Sequence, residues 1–332
     1  MAATNVQQVT VRGEWGTNVI PAIKDEQGVW TATVGPLAPD IYDYSFNLDG
    51  VAVCDPNNMW AKPLRFPHSS LFEIPSQPPQ LWENQRVPHG TVHVQVYYSK
   101  SMSATRRLHV YTPPGYEKSS TKYPVLYLFH GRTDNDSAWT ETGRANFVAD
   151  NLLARREAKP MIIVMPDGHP IEASASDTNA MPANLDAFCQ ELVEDVIPLI
   201  ESTYRVKANR DNRAVIGLSM GGGQALTAGL THRELFAWVG GMSSYLPDAE
   251  DRVATAFSDP KNNLKLLWFA CGKDDGLLAH SQNLDAALNQ KGISHTFVVT
   301  AGTHNWLVWR RYLGEFMPLL FGNAAHTVKT EG

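Results

Sequence analysis

The sequence predicts an α/β protein with a small all-β segment in front of it. Three observations carry this reading. The first part of the chain holds short β-branched and aromatic runs divided by turn chemistry. Beyond about residue 90, continuous apolar runs alternate with stretches of helical period. A glycine-flanked serine stands where one apolar run passes into a helix.

In the first part, residues 9–11, 29–34 and 41–46 read as strands. Gln27-Gly28, Gly35-Pro36, Pro39-Asp40 and Asp49-Gly50 supply the turns between them. Strands so spaced, with no helical period, predict a small β-sandwich over residues 1–76. Residues 77–89 include Pro78, Pro79 and Pro88 and read as a semi-rigid linker.

Residues 90–325 then form the larger domain. Residues 92–98 and 107–111 read as strands, with Pro113-Pro114-Gly115 as a turn. The runs 125–129 and 161–165 are apolar throughout, which suits strands covered on both faces of a parallel sheet. Helices are expected over 146–156 and 185–204, the latter with Leu192, Val196, Leu199 and Ile200 on one side. Further strands are expected at 214–217, 266–270 and 294–299.

The bulk composition agrees with a folded globular chain. Of 332 residues, 43% are hydrophobic and 19% charged, and the formal net charge is -6. That balance argues against a nucleic-acid partner, since phosphate binding wants a basic face. No apolar run approaches the ~20 residues that span a bilayer, so no membrane partner is expected. The opening Met1-Ala2-Ala3-Thr4-Asn5 has neither a basic nor an apolar leader region. It fits a secreted or periplasmic protein whose leader is absent from this sequence, or a cytoplasmic one. Cys54, Cys189 and Cys271 are scattered and odd in number, and read as small buried hydrophobes. No cofactor motif and no cluster of metal ligands is expected.

Gly217-Leu218-Ser219-Met220-Gly221 fits the G-x-S-x-G nucleophile elbow. It follows the apolar run Ala214-Val215-Ile216 and precedes a helical stretch, the context that the elbow of an α/β-hydrolase requires. A serine hydroxyl needs a base, and in this fold the acid and the histidine follow the serine in that order. His304, in Gly302-Thr303-His304-Asn305-Trp306, is the expected base. Asp274 and Asp275 close the run at 266–270 and compete for the orienting role, with spacing favouring Asp275. The backbone amides of Met220 and Arg132 are the expected oxyanion donors, with Thr133 a weaker alternative to the second. Trp306, Trp139 and Tyr245 are candidate substrate-binding residues, together with Trp309. Packing is the competing reading for each. Trp15, Trp30 and Trp60 could stack on sugar rings, or pack. His130, His232, His280 and His295 read as structural or exposed.

At these residues the sequence resembles the feruloyl and acetyl-xylan esterases of carbohydrate esterase family 1, within the esterase D group. The resemblance runs from about Gly90 to Phe321. It is carried by Val110-Tyr111-Thr112-Pro113-Pro114-Gly115-Tyr116, Gly143-Arg144-Ala145-Asn146, Val164-Met165-Pro166-Asp167-Gly168, the serine motif extended by Gly222-Gly223, Ala270-Cys271-Gly272, and His304-Asn305-Trp306 with Trp309-Arg310. The family pattern places the acid on Asp275. The first part resembles the immunoglobulin-like module, similar to carbohydrate-binding family 48, that precedes such esterases. Phe46-Asn47-Leu48-Asp49-Gly50 and Asp55-Pro56-Asn57 carry that likeness. The loop Arg132-Thr133-Asp134-Asn135 is bulkier and more charged than the family's glycine-rich form.

The resemblance implies release of hydroxycinnamates from arabinoxylan through an acyl-enzyme, with plant cell-wall polysaccharide esters or small hydroxycinnamate esters as partners. Acetyl-xylan esterase, siderophore-ester hydrolase and acyl transfer to an alcohol are the alternatives within that chemistry. A non-catalytic polysaccharide-binding protein is the alternative of another class. Residues 90–325 alone are expected to keep activity on small esters.

Overall fold

The computed structural model describes residues 5–171, 181–259 and 263–322. Seven strands make up the first part: β1 (Val9–Gly13), β2 (Ile20–Pro21), β3 (Ile23–Lys24), β4 (Trp30–Thr31), β5 (Asp40–Leu48), β6 (Val51–Val53) and β7 (Ser70–Ile74). All pairings among them are antiparallel. β5 takes β1 on one edge, and β6 and β7 on successive stretches of the other. β3 and β4 form a separate ribbon. Val9, Ala22 and Trp30 pack between these layers with Phe46 and Leu48. The strand expected over 29–34 shrinks to Trp30–Thr31, because Pro36 and Pro39 follow and bring no ladder donors.

The second part is an eight-stranded sheet in the order β15-β14-β13-β12-β10-β11-β9-β8. β8 (Thr91–Ser99) and β9 (Ala104–Thr112) form an antiparallel hairpin at one edge. The other strands run parallel to one another: β10 (Val125–Phe129), β11 (Ile162–Pro166), β12 (Arg213–Gly217), β13 (Trp238–Met242), β14 (Leu266–Gly272) and β15 (Thr296–Thr300). β13 had no sequence signal, because Gly240 and Gly241 dilute its apolar run. They are glycine for close packing: a Cβ on Gly240 would lie 2.7 Å from Ile216 and 2.8 Å from Phe316.

Helices cover both faces. On one side α1 (Ala138–Glu141), α2 (Ala145–Ala154) and α8 (Trp306–Phe316) share a core with Leu126, Ile163 and Ile216. On the other, α3 (Met181–Glu191), α4 (Ile197–Thr203), α5 (Met220–Thr231), α6 (Ala249–Ala256) and α7 (Leu278–Gln290) contribute to a core with Tyr127, Phe129 and Val215. The single helix expected over 185–204 is interrupted. Leu192–Val196 between α3 and α4 is a π turn. Pro198 has no N–H to continue an α-helical ladder, and the wider turn absorbs the missing bond. Among the described residues, no helix is long and apolar enough to cross a membrane.

The two parts are not strung on a free tether. Within 77–89, Trp82 is buried, and the carbonyls of Leu81 and Glu83 accept hydrogen bonds from Asn151 Nδ2 at 2.7 and 2.9 Å. Ile41 and Leu71 of the β module belong to the same apolar cluster as Trp139 and Tyr312. Arg310 of α8 is fully buried, and its Nη2 donates to Asp40 Oδ1 at 2.8 Å. Nη1 of the same guanidinium donates to the Thr142 carbonyl at 3.0 Å. Arg311 takes the second Asp40 oxygen at 2.7 Å.

Candidate active site

The serine sits on a sharp turn between β12 and α5. Ser219 has φ 55° and ψ −116°, a conformation that non-glycine residues avoid. Backbone bonds hold it there. Its N–H donates to Met242 O at 2.9 Å, and its carbonyl accepts from Gly223 N at 3.1 Å and Tyr245 N at 3.0 Å. The flanking glycines are required by close approach. A Cβ on Gly217 would lie 2.2 Å from Gly221 O, and one on Gly221 would lie 2.4 Å from His130 O. The side chain is thereby lifted off the carboxyl end of the sheet, where open α/β sheets place their sites.

Two loops bring partners to it. His304 Nε2 lies 2.9 Å from Ser219 Oγ. His304 Nδ1 lies 3.0 and 2.9 Å from the two oxygens of Asp275. Asp275 is buried, and its Oδ1 also accepts the Leu277 N–H at 2.8 Å. Burial alone would raise this carboxyl. The hydrogen bond and charge of His304, with bonds from Leu277 and Ser243, hold it below the usual carboxylate range. Asp274 is exposed, and its backbone N–H is bonded to Gly302 O at 3.1 Å. Of the two aspartates, Asp275 is the one that meets the histidine.

The loop after β10 passes beside the serine, since a Cβ on Gly131 would come within 3.6 Å of Ser219 Cβ. Arg132 follows in that loop, and Met220 opens α5, where the first amides of a helix lack acceptors within it. The β module braces this loop. Arg65 N donates to Thr133 O at 2.9 Å, and Asn135 N donates to Pro63 O at 3.2 Å.

The aromatic candidates divide. Trp139 and Trp306 are each 1% exposed and pack edge to face at 4.9 Å, so both belong to the core behind the site. Trp139 Nε1 donates to Phe129 O at 2.9 Å, which satisfies the buried indole. This corrects the expectation that they line an open pocket. Apolar aromatic residues beside a motif look the same in sequence whether they face the cleft or support it. Tyr245 is half-buried in the loop after β13, where its N–H meets the Ser219 carbonyl, and its ring lies 5.2 Å from that of His280.

Trp309, a pocket candidate in the sequence, is buried and supports the histidine, together with a serine that the sequence did not mark. Trp309 meets the His304 ring edge-on, and its Nε1 donates to Ser243 Oγ at 3.0 Å. Ser243 is fully buried, has φ 46°, and is hydrogen-bonded to Asp275. Only the position of Ser243 just past β13 marks it, and β13 itself was not legible.

The structure also gathers His130, Asp167 and His169, whose ligand atoms lie within 4.8 Å of one another, where no such cluster was expected. His130 follows β10, while Asp167 and His169 follow β11 and lie two positions apart. Hydrogen bonds already occupy them. His130 Nε2 accepts from Gly168 N at 2.8 Å, and its Nδ1 lies 2.8 Å from Gly131 O, to which it donates. Asp167 Oδ1 accepts the His169 N–H at 2.9 Å. Burial pushes the His169 imidazole down to about 3. The set therefore fits a hydrogen-bonded brace behind the Gly131 loop better than a metal centre.

A strained serine at an elbow, bonded to a histidine that is bonded to a buried carboxylate, defines the serine-hydrolase class of α/β-hydrolase sites. The chain belongs to the Esterase family, whose model matches residues 99–319. It is 31% identical over 308 residues to an endo-1,4-β-xylanase/feruloyl esterase from Xylanibacter ruminicola, covering 90% of this chain and 41% of that one. The chain spans 54% and 34% of the next two curated relatives, so in each case it matches only part of a longer protein. Among solved structures, it is similar to a CE1 ferulic acid esterase from Anaeromyces mucronatus, with 26% identity and a TM-score of 0.67 over 75% of this chain and 97% of that one. The enterobactin esterase of Shigella flexneri shares the fold over 94% of this chain and 88% of its own, at 19% identity and a TM-score of 0.68.

Proposed function

We propose that this chain is a feruloyl esterase that releases hydroxycinnamates from cell-wall arabinoxylan through an acyl-enzyme on Ser219. The observation that carries the reading is the unbroken line from Ser219 Oγ through His304 to Asp275, at 2.9 Å on each side of the imidazole. The acyl group follows from similarity to the xylanase/feruloyl esterase and to the solved ferulic acid esterase.

In this mechanism His304 Nε2 takes the Ser219 proton as Oγ attacks the ester carbonyl. Asp275 accepts the Nδ1 hydrogen, fixes the tautomer and stabilises the imidazolium. The amides of Met220 and Arg132 receive the negative charge on the carbonyl oxygen. Collapse breaks the C–O bond, and the departing sugar hydroxyl takes the proton from His304. Water, deprotonated by the same nitrogen, then releases the acid and restores Ser219. Tyr245, whose N–H bonds to the Ser219 carbonyl, is the residue assigned to the acyl group in this reading. The β module is assigned to the glycan in this reading, on its resemblance to carbohydrate-binding modules. The substrate places the protein outside the cell, in xylan degradation.

The test is a product profile on feruloylated arabinoxylan and on acetylated xylan. Ferulate should appear, and Ser219→Ala should lower turnover by about 10⁶-fold with the fold intact. Acetate alone, or turnover that survives the substitution, would sink the reading.

A further inference from the structure

Glu14 lies in the turn after β1, yet its carboxylate ends at the histidine loop. Oε1 accepts the N–H of Trp306, 292 positions away, at 3.2 Å, and Oε2 accepts the Asp43 N–H at 3.1 Å. Trp306 is the first residue of α8 and stands two places after His304. The first amides of a helix have no partner within it, and the residue before the helix normally supplies one from its side chain. Asn305 holds that place and makes no such bond. Its Nδ2 donates to Thr303 Oγ1 at 3.1 Å, and its Oδ1 is buried without a partner. The cap of α8 therefore comes from Glu14, and a carboxylate there also meets the positive end of the helix. Across the serine, the same module holds the Gly131 loop through Pro63 and Arg65.

We propose that Glu14 is a positioning residue of the esterase, which caps α8 from the β module and so fixes the His304 loop for turnover of even a small ester. The proposal rests on the serine-esterase reading above. It runs against the expectation that residues 90–325 suffice for small esters.

The charge state of Glu14 makes the idea testable. Burial and the neighbouring Asp43 push its carboxyl up to about 7, against the opposing pull of Lys62 and Arg310. Tyr42 is the other titratable group coupled to it, and Arg12 and His68 line the same cavity of about 510 Å³. The ionised carboxylate is the better acceptor for the Trp306 N–H. The cap should strengthen as pH rises through about 7. Global stability has the opposite sign. A carboxyl raised above its unfolded value favours the fold while protonated, and that benefit is lost as pH rises through the folded value. Below the unfolded value of about 4.3 both states are protonated.

Full-length wild type, Glu14→Gln and a His68→Asn control should be compared on methyl ferulate, with melting curves at each pH. At about pH 8.5, Glu14→Gln should turn over about fivefold more slowly, the size expected for one helix cap, with KM little changed. It should melt no lower than wild type there. The difference in turnover should close at about pH 5.5, where wild-type Glu14 is protonated too. A rate ratio that is unity throughout, or flat with pH, overturns the proposal. So does a variant both slower and less stable at alkaline pH. If His68→Asn removes the pH dependence of the ratio, that also overturns it. Should Glu14→Gln fail to fold, hydrogen exchange of the Trp306 amide decides. Protection in wild type, corrected for the intrinsic base-catalysed rate, should rise through about pH 7 and must not stay flat. Persistent turnover in Ser219→Ala would overturn the serine mechanism and this proposal with it. A flat ratio with a dead Ser219→Ala overturns this proposal alone.

Discussion

The indole of Trp309 stands edge-on to the imidazole of His304, with ring centroids 4.9 Å apart and planes at 87°. Its N–H reaches Ser243, whose hydroxyl is bonded to Asp275. One side chain thus touches His304 directly and Asp275 through a single hydroxyl. Ser243→Ala removes a hydrogen bond to a charged acceptor. It should lower kcat on p-nitrophenyl acetate by about tenfold. Trp309→Phe keeps the ring contact and loses only the N–H, so its loss should be smaller. Steady-state kinetics on the two variants checks the order, and a larger loss for Trp309→Phe would break it.

Asp275→Asn and Asp274→Asn should separate sharply. Replacing the buried carboxylate leaves His304 free to adopt the wrong tautomer, with an expected loss in kcat of about 10⁴-fold, by analogy with serine-protease triads. Asp274 is exposed and touches no part of the triad, so its variant should stay within about twofold of wild type. Parallel assays on one ester read both.

Arg310 is fully buried against Asp40. Arg310→Met leaves that carboxylate in the interior with Arg311 as its only remaining cationic partner among the described residues. Unfolding free energy by denaturant titration should drop by about 3–5 kcal/mol. The double variant with Asp40→Asn should recover part of that loss, since the uncompensated charge is then gone.

Cys189 and Cys271 are buried, and burial pushes both thiols up to about 11. Neither should react with a thiol-exchange reagent at neutral pH while the protein is folded. Cys54 is only half-buried and should label first. Thiol counting before and after denaturation gives the comparison.

Much of this was legible in the sequence because it depends on local pattern. The buried strands β10, β11 and β12 announce themselves as apolar runs, and the elbow is written in five consecutive residues. The order serine, acid, histidine then leaves few candidates, and the choice between Asp274 and Asp275 turns on a local spacing. What could not be read depends on approach between distant segments. Gly240 and Gly241 hide β13, because the neighbours that demand glycine lie elsewhere in the chain. Trp139 and Trp306 look like pocket walls until the helices are placed. Ser243 and the His130–Asp167–His169 group have no spacing signature at all. The stretch 77–89 reads as a linker by its prolines, yet Trp82 anchors it.

The placement of Arg310 on α8 bears on how such a chain can be recombined. The helix that begins beside His304 is also the strut gripped by Asp40. A graft that exchanged the leading sandwich for another's at the proline-rich stretch would cut Asp40 from its arginine and strip the histidine loop of its support. Crossover partners would have to bring matching acidic residues, so the two halves of this chain are expected to be inherited together rather than shuffled.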